Sequence, residues 1–254
     1  AQRFPTLASG EIDLLARNTT WTISRDVNLM FEFAGVNYYD GQGFLVPTDL
    51  DIENATELNG AFVCITAETT SELNLNDYFA ENDMAYKPVY VEGNKDAKAK
   101  LFAGECDVFT TDASGLASAR AGAENPDDWM VLPEIISKEP LGPLVRQGDQ
   151  EWEDVVRWTM FIMINAEEAG ITSKNVDLML TSKSKEVKRI LGVEGYIGPM
   201  LGLGMKFGYN IIQQVGNYGE SFERNVGEET PLALERGLNN LWNNGGILYV
   251  PPIR

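Results

Sequence analysis

The residue types that could do chemistry are few. The chain has no histidine and only two cysteines, Cys64 and Cys106. That removes Ser-His and Cys-His nucleophiles, every His metal site and any structural zinc cluster. Chemistry would fall to carboxylates, Lys, Tyr or Arg. No phosphate loop is present, Gly202-Leu203-Gly204 lacks the third glycine of a dinucleotide fingerprint, and no Gly-x-Ser-x-Gly elbow occurs. Neither a cofactor nor a metal is expected.

Three polar clusters remain, each beside an apolar run. Arg17-Asn18-Thr19-Thr20-Trp21-Thr22-Ile23-Ser24-Arg25 offers hydroxyls, an amide and guanidinium forks, which match a carboxylate in bidentate geometry. It reads equally as a solvated turn before a helix starting near Thr22 to Ser24. Thr66-Ala67-Glu68-Thr69-Thr70-Ser71-Glu72 opens a helix, and helix N-termini favour anions. Thr69 with Glu72 also reads as an ordinary capping box. Asp112 ends a strand, where it can pair with an ammonium group or cap the helix from Ala113. Together the clusters supply a cationic fork, an anion-receptive helix end and a carboxylate. That set complements a zwitterion, the common part of α-amino acids.

These clusters need elements to hold them. Ile12 to Ala16, Gly43 to Val46, Ala61 to Ile65 and Cys106 to Phe109 are short apolar runs that suit buried, parallel strands. Helical spacing marks Ser71 to Ala80, Asp96 to Ala103 before Gly104, and Glu153 to Ala169 before Gly170. Lys185 to Leu191, Tyr209 to Phe222 and Pro231 to Trp242 are further expected helices. Strands alternating with helices predict an α/β fold. One internal echo stands out: Gly10-Glu11-Ile12-Asp13-Leu14-Leu15 against Gly104-Glu105-Cys106-Asp107-Val108-Phe109. Each copy has a leucine three residues upstream, Leu7 or Leu101, and a polar residue eight residues after the glycine, Asn18 or Asp112. The echo is either chance similarity of two βα units or the mark of two similar lobes. In the second case Asn18 and Asp112 face each other across a cleft.

Composition narrows the partners. The chain has 254 residues with 20 Lys+Arg and 38 Asp+Glu, a formal charge of −18. Such a charge argues against nucleic acid, whose phosphates need a basic footprint, and against anionic membrane surfaces. No apolar run approaches the roughly 18 residues of a membrane span. Apolar content of 44% and charged content of 23% are those of a globular protein.

The long motifs carry a resemblance. Ala8-Ser-Gly-Glu-Ile-Asp-Leu-Leu-Ala-Arg-Asn-Thr-Thr-Trp-Thr, Tyr38-Tyr-Asp-Gly-Gln-Gly-Phe, Ile136-Ser-Lys-Glu-Pro-Leu-Gly-Pro, Val215-Gly-Asn-Tyr-Gly-Glu-Ser-Phe-Glu-Arg-Asn and the tail from Glu235-Arg-Gly-Leu-Asn to Pro251-Pro-Ile-Arg resemble the periplasmic solute-binding proteins of polar amino-acid ABC importers, in their general L-amino-acid branch. The resemblance implies an α/β fold of periplasmic-binding-protein type II, with two lobes closing on the ligand about a two-strand hinge. The hinge is expected near Phe44 to Pro47 and Ser137 to Leu144. Residues 48–138 then form one lobe, and residues 1–47 plus 139–254 the other.

The resemblance also implies roles. Arg25 clamps the α-carboxylate with help from Thr20. Asn18 and Asp112 meet the α-ammonium group. Thr69 and Thr70, with Thr66 close behind, form the second-lobe threonine site. Arg3 reaches the side chain of acidic ligands, and Asn94 falls near another side-chain contact. The implied partners are an L-amino acid and the membrane permease subunits of an importer, the implied location is the periplasm, and the implied activity is binding without chemistry. An enzyme on the same scaffold, such as a dehydratase of a cyclic acid with Glu68 as its general acid, and a sensor domain are the competing readings.

Family members carry a signal peptide and a strand, helix and strand ahead of the point where this chain begins, so the first lobe is expected to be incomplete at its N-terminus. An upstream segment or a second copy is expected to cover the exposed edge. Cys64 and Cys106 either pair as a disulfide, which persists in an exported protein, or stay as two small buried thiols.

Overall fold

The computed structural model describes residues 2–254. Its strands are β1 (Phe31–Phe33), β2 (Tyr38–Asp40), β3 (Gln42–Pro47), β4 (Phe62–Thr66), β5 (Lys87–Val91), β6 (Val108–Asp112), β7 (Trp129–Val131), β8 (Glu139–Leu141) and β9 (Leu144–Arg146). Its helices are α1 (Arg3–Ser9), α2 (Thr70–Glu81), α3 (Asn94–Phe102), α4 (Ala113–Ala121), α5 (Gln150–Glu168), α6 (Val176–Met179), α7 (Lys185–Ile190), α8 (Ile197–Met200), α9 (Phe207–Val215) and α10 (Tyr218–Asn225). The chain divides into two compact units. The first is built on Asn18–Trp21 and Tyr38–Leu141, the second on Arg3–Arg17, Thr22–Asn37 and Gly142–Arg254.

The first unit holds a sheet of order β5-β4-β6-β3-β7. Alternation along its central strands sends side chains to opposite faces. Phe44, Val46, Val63, Ile65 and Val108 pack with Leu75 and Phe79 of α2. Leu45, Cys64 and Phe109 pack on the other face with Ala97 and Leu101 of α3 and Leu116 of α4. β4 runs parallel to β5 and β6, as the apolar runs led one to expect. β3 does not: it is antiparallel to β6 and β7. An apolar run reports cover on both faces, and a central antiparallel strand between helices has the same cover. Cys64 and Cys106 are joined as a disulfide, with Cα atoms 5.7 Å apart, tying β4 to the segment leading into β6.

β2 pairs with β8 in the first unit, with Asp40 opposite Glu139. β1 pairs with β9 in the second. The division into units therefore falls at 37/38 and 141/142, where the sequence led to 47/48 and 138/139. β3 lies inside the sheet of the first unit, so its neighbours Tyr38–Asp40 and Glu139–Leu141 go with it.

In the second unit, Ile162 and Ala166 of α5 pack with Val187 and Ile190 of α7, Ile212 of α9 and Ile253 near the C-terminus. Three expectations fail here for local reasons. Ile12 to Ala16 forms no strand: only Leu15 pairs, with Leu144. The Ile12 carbonyl accepts instead from the Arg146 guanidinium at 2.6 Å, and that of Asp13 from the Trp152 indole at 2.9 Å. Side chains thus take the acceptors that a neighbouring strand would need. The helix expected over Tyr209 to Phe222 is broken at Gly216, whose φ of +91° is left-handed. Asn217 then caps α10, accepting from Glu220 N at 2.8 Å while the Glu220 carboxylate accepts from Asn217 N at 2.9 Å. Pro231 to Trp242 is not a helix. Ala233 and Gly237 take left-handed φ, Gly237–Asn239 forms a single 3-10 turn, and Arg236 binds the Glu167 carboxylate at 3.0 and 3.2 Å, fastening the segment to α5.

The echoed glycines do share a role. Gly10 and Gly104 have φ of +81° and +71°. Each closes a helix by donating to the leucine three residues back, at 3.2 Å to Leu7 O and 3.0 Å to Leu101 O.

Candidate functional site

Most of the residues singled out in the sequence meet within the first unit. Asn18 Nδ2 donates to Asp112 Oδ2 at 3.2 Å. Asp112 ends β6 and is the N-cap residue of α4, yet its side chain accepts no capping bond from that helix. The reading that set the two residues on opposite sides of a cleft is corrected: both belong to one unit. The echo in sequence does not extend to a repeat in position, because the first copy forms no sheet strand.

Two residues further on, Thr20 pairs with Leu141 through the backbone. Its hydroxyl donates to Glu139 Oε2 and lies 3.4 Å from the Thr70 hydroxyl. Thr70 Oγ1 is 3.5 Å from the same carboxylate oxygen. The other oxygen of Glu139 accepts from Asn74 Nδ2 at 2.7 Å and Ser137 Oγ at 2.8 Å. Glu139 is 1% exposed, so these bonds replace water around its carboxylate. Asn74 also donates to Gln42 Oε1 at 3.0 Å, and Gln42 Nε2 donates to Ser71 O and Thr110 Oγ1, both at 2.9 Å.

The start of α2 explains the other threonines. Thr69 is the N-cap and accepts from Glu72 N at 3.4 Å. Its hydroxyl donates to Thr66 O at 2.7 Å, so both capacities are engaged locally. The expected capping box is shifted by one residue: the Glu72 carboxylate accepts from Glu68 N at 2.8 Å. Glu68, with a φ of 58°, is exposed, which is a poor setting for a buried general acid. Asn94 opens α3 and is exposed.

Arg3 and Arg25 belong to the second unit and flank one ring there. The guanidinium carbons lie 4.9 and 5.4 Å from the centroid of Phe4, which stacks on Phe31 at 6.0 Å. Cation–π contact of this kind orients a guanidinium without neutralising it. Arg25 is 7% exposed, in a wide helical turn, Ser24–Asn28, close to the expected start.

The first unit is acidic where these residues gather. Burial pushes the Asp40 carboxyl above the usual range, with Glu139 adding to the effect, while N–H donors of Gly41 and Ser114 pull it back. Burial also raises the Tyr38 and Tyr39 phenols. Among the described residues no cluster of Cys, Asp and Glu is arranged to hold a metal ion, and no helix is long and apolar enough to cross a membrane.

Glu139, Asn74, Ser137 and Gln42 were not singled out by sequence reasoning. Asn74 was within reach, since it lies four residues after Thr70 on the same helix face. Glu139 sits in the quoted motif Ser137-Lys-Glu-Pro, but only the pairing of β8 with β2 shows that it points inward.

Comparison with known proteins gives the following. No protein-family model matches the chain. It is 56% identical over its whole length to the general L-amino acid-binding periplasmic protein AapJ of Rhizobium johnstonii, spanning 75% of that protein. It is 51% identical over 99% of its length to the glutamate/glutamine/aspartate/asparagine-binding protein BztA of Rhodobacter capsulatus, again 75% of that protein. A solved ABC transporter periplasmic binding protein from Brucella ovis with glutathione bound matches with a TM-score of 0.97 and 52% identity, over all of this chain and 80% of that one. An ancestral arginine-binding protein shares the fold at a TM-score of 0.56 and 23% identity. All of these are named as binding proteins.

Proposed function

We propose the function from one premise: this chain belongs to the periplasmic solute-binding proteins of amino-acid ABC transporters. It has their α/β fold, the two-lobed periplasmic-binding-protein type II fold. It binds L-amino acids and delivers them to a membrane importer. The observation that carries this reading is similarity along the whole chain to a protein named for general L-amino-acid binding. The acidic, hydrogen-bonded cluster of the first unit supports it, because an α-ammonium group needs acceptors.

In this reading Asp112, held by Asn18, pairs with the α-ammonium group. Arg25 takes the α-carboxylate, and Arg3 reads acidic side chains. The two lobes correspond to the two compact units. The ligand leaves chemically unchanged, the partner is the permease of an ABC importer, and the place of action is the periplasm. The disulfide suits that oxidising compartment.

A melting scan against the twenty L-amino acids and their D-enantiomers tests the reading. Binding at about 100 times the dissociation constant adds roughly 2.7 kcal/mol of apparent stability. Stabilisation by L-forms, with recovery of intact ligand afterwards, is the expected result. An intact chain that no amino acid stabilises overturns it.

A further inference from the structure

We propose that Asn244 is a modification site: its side chain cyclises with the backbone nitrogen of Gly245 and opens to an aspartyl or isoaspartyl residue, while the fold withholds the same reaction from Asn59. None of this depends on which ligand the protein binds.

Asn-Gly occurs twice in the sequence, at Asn59-Gly60 and at Asn244-Gly245. In this dipeptide the glycine has no Cβ to obstruct the approach of its nitrogen to the asparagine amide carbon. The two copies are alike in exposure and backbone. Both asparagines are exposed. Both glycines take left-handed φ, +85° at Gly60 and +86° at Gly245. Beyond the adjoining residues, nothing comes within 4 Å of where a Cβ would stand on either.

They differ in hydrogen bonding. Asn59 Oδ1 accepts from Ala85 N at 2.9 Å, and Gly60 N donates to Ala85 O at 2.6 Å. Ala85 thus holds both the side-chain amide and the nitrogen that would attack it, and cyclisation would break both bonds. Asn244 has neither restraint. It ends a single 3-10 turn, Trp242–Asn244, and among the described residues nothing bonds its side chain or accepts from Gly245 N. The base of this loop is closed by Trp242 N to Leu248 O, Leu248 N to Asn240 O and Gly246 N to Leu241 O, each at 3.1 Å. At the tip, the main chain of Asn244 is held by one bond, from its N to Leu241 O at 2.9 Å. The tip can therefore turn while the base stays paired.

In the reaction, Gly245 N loses its proton to hydroxide and bonds to Asn244 Cγ. The Cγ–Nδ2 bond breaks, and Nδ2 takes a proton from water and leaves as ammonia. Water then opens the five-membered imide. Attack at Cγ restores the peptide bond and gives aspartate; attack at the backbone carbonyl leaves the chain running through the side chain, as isoaspartate. Water is consumed, ammonia is released, and nothing is oxidised or reduced. Either product places a carboxylate close in sequence to Trp242, whose indole donates to Glu168 at 3.0 Å. The isoaspartyl form also lengthens the main chain by a methylene between the paired Leu241 and Leu248.

The test incubates the full chain in warm, mildly alkaline buffer, folded and in concentrated urea. Proteolytic peptides are then followed by mass spectrometry and chromatography, which resolve the aspartyl and isoaspartyl products. In urea both asparagines should convert. Folding should slow Asn59 by roughly tenfold or more and Asn244 by less than about threefold. Asn244→Gln, whose cyclisation would need a larger ring, should abolish the modification of that peptide and leave the rate at Asn59 unchanged. Slowing of Asn244 beyond that limit, or an Asn59 slowed less than tenfold, overturns the proposal.

Discussion

Asn18 and Asp112 are bonded at 3.2 Å across a sequence separation of 94. They stand at the same offset from the two echoed glycines, and the structure seats both in one unit. Asp112 is 7% exposed, and Asn18 orients its carboxylate. In the proposed reading, removal of the carboxylate leaves the ligand's ammonium group desolvated and unpaired. Asp112→Ala should therefore weaken amino-acid binding by about 2–5 kcal/mol. Asn18→Ala, which leaves the charge but removes one of its hydrogen bonds, should cost about 1 kcal/mol. Calorimetric titration measures both, and a loss under about 0.5 kcal/mol for Asp112→Ala would remove that residue from the site.

Arg25 and Arg3 both lie over the ring of Phe4 but should separate in function. Arg25→Ala is expected to weaken all amino acids alike, by about 2–5 kcal/mol. Arg3→Ala should weaken glutamate and aspartate more than alanine. Affinities across that small panel decide it, since equal losses for Arg3→Ala mean that Arg3 does not read the side chain.

The Cys64–Cys106 disulfide closes a loop spanning a sequence separation of 42, from β4 to the segment leading into β6. Its reduction should cost about 2–4 kcal/mol of stability. Intact mass with and without reduction and alkylation establishes the bond. Denaturant midpoints of the two forms give its worth, and alkylation of both cysteines without reduction would contradict the pairing.

Asp40 gives a pH signature. Burial raises its folded-state pKa above the ordinary value of 3.8. A raised carboxyl pKa contributes stability that is fully present below the unfolded value and lost as pH rises through the folded one. Asp40→Asn keeps the carbonyl acceptor for the N–H groups of Gly41 and Ser114 but cannot ionise. The variant should gain on the wild type between pH 3 and pH 7, in urea midpoints measured along that range. A difference that does not change with pH would show that Asp40 titrates normally.

Local pattern made much of this protein legible in advance. Helix α5 follows from its apolar stripe and terminal glycine, and α2 from Thr69 and its alternation of Leu75, Tyr78 and Phe79. Strands β4 and β6 follow from short apolar runs, and Asp112 from its place at the end of one. Each of these signals acts over a few residues: a cap, a period, a left-handed glycine.

What only the tertiary structure decided depended on partners distant in the chain. The run Ile12 to Ala16 has strand composition, but Arg146 and Trp152 take its carbonyls, and a strand without a neighbour is no strand. The run Gly43 to Val46 revealed its burial but not its direction, because covered strands look alike whichever way they run. Tyr209 to Phe222 has a continuous apolar rhythm that Gly216 and the Asn217–Glu220 cap divide. Glu139 is the sharpest case. As a charged residue beside Pro140 it reads as solvated, and it is buried because Thr20, Thr70, Asn74 and Ser137, drawn from separate parts of the chain, converge to supply its hydrogen bonds. A carboxylate leaves water only where several donors replace it at once, and that condition belongs to the fold as a whole.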